Sequence, residues 1–66
     1  MKRWNTELKK QAENANIDNF LKDILKICKK YNFSISHEDQ HGSFQVTKWD
    51  KGYESWLLNA SDSTDE

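Results

Sequence analysis

A change of period at Tyr31-Asn32 constrains this chain more than any other feature of its sequence. Before it, Ile17, Phe20, Leu21, Ile24, Leu25, Cys28 and Tyr31 recur at spacings of three and four, the repeat of an amphipathic helix. At about 100° per residue they fill one arc with Ile27, while Lys22, Lys26, Lys29 and Lys30 gather opposite. Asp18 near the start and Lys29 and Lys30 near the end suit the helix dipole, and Asn16 is the predicted N-cap. Beyond Asn32 the period falls to two. Phe33 and Ile35 alternate with Ser34 and Ser36, and Phe44 and Val46 alternate with Ser43, Gln45 and Thr47. Glu38-Asp39-Gln40-His41-Gly42 between them has the composition of a turn. The spacing predicts a hairpin pairing Ile35 with Phe44 and Phe33 with Val46, with a polar loop at 38–41 flanked by His37 and Gly42.

The flanks complete the fold prediction. Trp4, Leu8, Ala12 and Ala15 share a helical stripe, almost diametrically opposite the arc that begins at Ile17. One straight helix cannot bury both stripes in one core. Either an N-terminal helix bends around Asn14-Ala15-Asn16 and folds back on its own core, the weightier reading, or the Trp4–Leu8 face packs on another molecule. After the hairpin, Asp50 is an N-cap candidate, and Tyr53, Trp56, Leu57 and Ala60 follow at helical spacing. Residues 61–66 hold three acids and no apolar side chain, so the sequence predicts a frayed acidic tail. The expected class is α+β in the order α-β-β-α, as a single small domain over residues 1–60.

Composition narrows the function classes. A chain of 66 residues excludes a multi-domain enzyme, a full dinucleotide-binding fold and a kinase-like apparatus. No apolar run nears the roughly 20 residues of a membrane span, and no signal-peptide core is visible. The single cysteine, Cys28, excludes an intramolecular disulfide and suits a reducing cytoplasm; its place on the apolar arc makes it a packed thiol. Net charge is −1 with neutral histidines, but residues 1–31 carry eight bases against four acids and residues 32–66 two against seven. That division marks either mutual complementation within one fold, the preferred reading, or a charged surface for a partner. The slightly acidic total argues against nucleic acid as a partner.

His37-Glu38-Asp39-Gln40-His41 matches H-E-x-x-H. In zinc hydrolases that motif lies on a helix, where the histidines share a face and the glutamate activates water. Here a strand-like run precedes it, Gly42 closes it and no third ligand is signalled, so a hydrolase ranks last. A turn bringing His37 and His41 together, with Glu38 or Asp39, is a better metal reading, though no ligand framework supports it. The remaining alternatives are a recognition loop built from His37, Glu38, Asp39, His41 and Gly42, and a solvated turn whose carboxylates satisfy local N–H groups. Alternation places His37 on the face of Phe33 and Ile35. Trp49 either covers a seam between helix and hairpin or docks a partner.

The run from Ile27 to Phe44, centred on Ile35-Ser36-His37-Glu38-Asp39-Gln40-His41-Gly42-Ser43-Phe44, resembles small, mostly uncharacterised proteins of phages and prophages of low-GC Gram-positive bacteria. They typically carry a helix, an I/L-S-H-E-D-x-H-G-x-F segment and a W-L stretch like Trp56-Leu57; the resemblance covers about residues 20–60 and excludes Trp4. Ser43 stands where alanine is commoner. The resemblance implies phage origin and a His37–Gly42 loop that matters beyond solvation. The expectation is therefore a non-enzymatic binding protein with no cofactor or metal, in the cytoplasm of an infected bacterium. It would inhibit a host protein, such as a defence component, through Trp4, Leu8, Trp49, the basic helix face and the loop. The alternative is an oligomeric sponge for a small nucleotide signal, held by His37, Asp39 and His41. A homo-oligomer is compatible with both.

Overall fold

The computed structural model describes residues 1–38 and 40–65. Its elements run β1 (Lys2–Asn5), β2 (Lys10–Glu13), α1 (Ala15–Tyr31), β3 (Phe33–His37), β4 (Phe44–Lys48) and α2 (Lys51–Leu58). The strands form two separate antiparallel pairs, β1 with β2 and β3 with β4. The molecule is α+β, with two hairpins where one was expected.

The predicted N-terminal helix is absent: residues 2–13 form the β1–β2 hairpin, with Trp4 opposite Gln11 and Arg3 opposite Ala12. Helix formers in this stretch lose to turn chemistry and to tertiary contacts. The Asn5 side chain accepts the Leu8 N–H at 2.8 Å, its carbonyl accepts the Lys9 N–H at 2.8 Å, and Lys9 takes a left-handed φ of 54°. These bonds close the turn. A polar period of two then decides which way the strand faces, because Arg3 and Asn5 are buried while Lys2 and Trp4 are exposed.

The predicted frayed tail is also corrected. Asp62 is buried and forms a parallel bridge with Asn5: its N–H donates to the Trp4 carbonyl at 2.7 Å, and its own carbonyl accepts the Thr6 N–H at 2.9 Å. Its side chain accepts from Asn14 Nδ2 at 3.2 Å and from the Thr64 N–H and hydroxyl at 2.9 and 2.7 Å. Glu66 of the predicted tail lies outside the described residues.

Helix α1 begins two residues earlier than the expected Asn16 cap. Asn14, in extended geometry, accepts the N–H groups of Asn16 and Ile17. The helix ends at Asn32, whose left-handed φ of 61° turns its N–H back to the carbonyls of Cys28 and Lys29. Among the described residues the buried apolar side chains are Leu21, Leu25 and Cys28, flanked by half-buried Ile17 and Ile24. Asp50 caps α2 as predicted, accepting the Gly52 N–H at 2.7 Å, and its own N–H donates to the Ser34 hydroxyl at 2.8 Å. The two helices pack on each other and on β3, whereas β4 touches β3 alone among the elements. No helix among the described residues is long and apolar enough to cross a membrane.

The β3–β4 hairpin exists, but its register is displaced by two residues from the predicted one. Ile35 faces Val46, His37 faces Phe44 and Phe33 faces Lys48. The ladder continues one step past His37, where the Glu38 N–H donates to the Ser43 carbonyl at 3.0 Å. Its orientation is equally informative: Ser34 and Ser36 are 2% and 1% exposed, while Phe33, Phe44 and Val46 lie between 51% and 68%. The serine face, small enough for close approach, is the one the helices cover.

Candidate functional site

Glu38 organises the loop that the sequence singled out. Its two carboxylate oxygens accept the backbone N–H groups of Gln40 and His41, each at 2.7 Å, and His41 Nδ1 lies 3.3 Å from the same carboxylate. Those two N–H groups, first Gln40 and then His41, hold the Glu38 carboxyl below its ordinary value. Gly42 completes the reversal with a φ of 71°, a conformation in which a side chain is strained. Asp39, assigned to the same site, lies outside the described residues. The loop is thus closed on itself through Glu38, as a turn satisfying its own backbone would be.

This geometry agrees with the strand-and-turn expectation for the H-E-x-x-H match. The motif starts in a strand at His37 and passes into a turn at Gln40 and His41, so its imidazoles do not stack one helical turn apart. They have different surroundings: His41 is exposed beside Glu38, and the His37 ring centroid is 6.5 Å from that of Trp56, tilted by 52°. No group of three metal-ligating side chains occurs among the described residues.

His37 instead borders an open cleft of 460 Å³, whose walls are Ser36, His37, Gln45, Gly52, Tyr53 and Trp56. Gln45 Nε2 donates to the Ser36 hydroxyl at 3.0 Å across the hairpin, fixing the polar wall. Tyr53 and Trp56 come from α2 and supply the aromatic wall. The sequence reading placed Tyr53 and Trp56 on a helix face and left Gln45 and Ser36 without a role. Nothing local could have joined them, because the cleft arises from α2 docking on the serine face.

The surface residues divide. Trp4 is 45% exposed on β1 and Leu8 is 52% exposed in the following turn. Trp49 is half-buried: its N–H donates to the Asn32 carbonyl at 2.9 Å, and the Lys29 ammonium lies 5.6 Å from its ring centroid. It lines the seam between α1 and the hairpin. The hairpin carrying Trp4 is tied down firmly. Arg3, 2% exposed, donates from Nη1 to the carbonyls of Leu58 and Ala60 at 3.0 and 2.9 Å, and from Nη2 to Asp18.

The chain matches no known family model, and no characterised protein or solved structure is detectably similar to it.

Proposed function

We propose that this is a non-enzymatic binding protein of phage origin that inhibits a host bacterial protein, such as a defence component, by stoichiometric association. The observation that carries the reading is the Trp4 hairpin. Its inward side chains, Arg3 and Asn5, are polar and anchored to α1, the α2 C-terminus and the Asp62 segment, while Trp4 and Leu8 are exposed. A tryptophan held in place before binding loses little entropy on docking, and this residue type dominates binding hot spots. The motif resemblance supplies the phage origin and the host setting. The Glu38-closed loop contributes a second rigid contact surface.

The test is capture of the host partner by the purified protein. Trp4→Ala combined with Leu8→Ala should weaken that association at least tenfold while the circular dichroism spectrum is retained, because both side chains are exposed. Unchanged capture, with loss only on His37→Ala, would sink the assigned surface.

The cleft favours a second reading, the sponge for a small nucleotide. Tyr53, Trp56 and His37 offer stacking surfaces, and Ser36 and Gln45 offer polar contacts. Under it, nucleotides raise the thermal midpoint by mass action, and Trp56→Ala removes the effect.

A further inference from the structure

We propose that the cleft beside His37 recognises a purine base and not the phosphates of its ligand. This rests on the nucleotide reading of the same cleft and names the part of the ligand that is read. Gln45 carries the assignment. Its Nε2 donates one hydrogen to the Ser36 hydroxyl at 3.0 Å, and Ser36 is only 1% exposed, so a buried anchor fixes the amide. Oε1 and the second Nε2 hydrogen have no protein partner among the described residues, and Gln45 forms part of the cleft wall. The fixed amide therefore offers the cleft one donor beside one acceptor. Adenine matches that pair with its N6 amino group and a neighbouring ring nitrogen, and guanine with its N1–H and O6.

Another wall of the cleft is aromatic. Tyr53 and Trp56 stand three residues apart on α2, so they share a face of the helix, and Trp56 is 46% exposed. The His37 ring lies 6.5 Å from the indole at a tilt of 52°, so the two do not stack and indole surface is left to the cleft. A two-ring base covers more of that surface than a pyrimidine does. Phosphates find no comparable partner. None of the six wall residues carries a fixed positive charge. The first turn of α2 is also closed to anions. Its Gly52 N–H already donates to the Asp50 carboxylate at 2.7 Å, and its Tyr53 N–H to the Asp50 carbonyl at 3.1 Å. The negative Asp50 cap repels phosphate at that end.

Calorimetric titration of the full chain at low and high salt tests this, with adenosine, guanosine, uridine, AMP and ATP as probes. Adenosine, AMP and ATP should bind within about threefold of one another and with little salt dependence. Adenosine and guanosine should bind about fivefold more tightly than uridine, through the larger stacked area. Gln45→Glu replaces the donor–acceptor pair by two acceptors. It should weaken adenosine about tenfold or more but retain guanosine, whose N1–H and N2–H both donate. Gln45 is exposed, so the fold should survive the change; should it not, the wild-type series still decides. Affinity that climbs steeply from adenosine to ATP overturns the base assignment, as does equal binding of purine and pyrimidine nucleosides. An unchanged ratio of adenosine to guanosine affinity in Gln45→Glu overturns it too. Each of these results leaves the nucleotide reading standing, whereas binding of none of the probes overturns both. The Trp4 surface is unaffected by any of them.

Discussion

Arg3 is a single side chain joining three parts of the molecule. From β1 it reaches the first-turn carboxylate of α1 and two carbonyls at the end of α2, where its charge also opposes the helix dipole. Its Nε–H finds no acceptor among the described residues, so the arrangement is held by the planar pair of Nη groups. Arg3→Met keeps much of the stem volume but leaves the Leu58 and Ala60 carbonyls without this donor. It should cost at least about 2 kcal/mol in urea unfolding, since one bond to a charged group contributes on that order and both carbonyls lose theirs. Arg3→Lys should recover little of the loss, because one ammonium cannot reproduce the fork.

The elements are delimited by caps, and these sit where residue chemistry requires them. Asn14 and Asp50 begin the helices, and Asn32 ends α1 in the left-handed region that asparagine tolerates. Asn32→Ala should lower stability by about 1 kcal/mol, while Asn32→Gly should be close to neutral. Paired urea midpoints check both, and equal losses would refute the conformational explanation. The β3–β4 register was less legible. Sequence symmetry pointed to Ile35 opposite Phe44, but Glu38 takes up two loop N–H groups and the ladder extends to Ser43, which moves every pair by two residues. A shift by two keeps each side chain on its face, so the alternation alone could not distinguish the registers.

At the scale of the whole molecule, three carboxylates link folding to pH. The N-terminal ammonium and then Arg3 hold Asp18 below its ordinary value; loop N–H groups do so for Glu38, and the Thr64 hydroxyl and N–H for Asp62. The unfolded chain therefore binds protons more readily than the folded one. Their contribution is complete above the ordinary carboxylate range, near pH 4, and is lost as pH falls through that range and below it. The urea midpoint should drop as pH falls from 5 towards 3. Asp62→Asn should lower the midpoint at pH 5 and make the drop shallower. A midpoint that stays level to pH 3 would exclude this linkage.

The sequence by itself determined α1, its dipole-matched charges, the Asp50 cap, the alternating strands and the buried thiol, because periodicity and capping act over a few neighbouring residues. Tertiary contacts joined local turn chemistry in deciding that residues 2–13 fold as a hairpin, since Arg3 and Asn5 also find partners more than a dozen residues away. They also decided which side of each hairpin faces inward. Alternation states which side chains share a face, but not which face is covered. That depends on what packs there, and here the helices take the serines and the network around Arg3 and Asp62 takes the polar side of β1, leaving tryptophan and phenylalanine towards water.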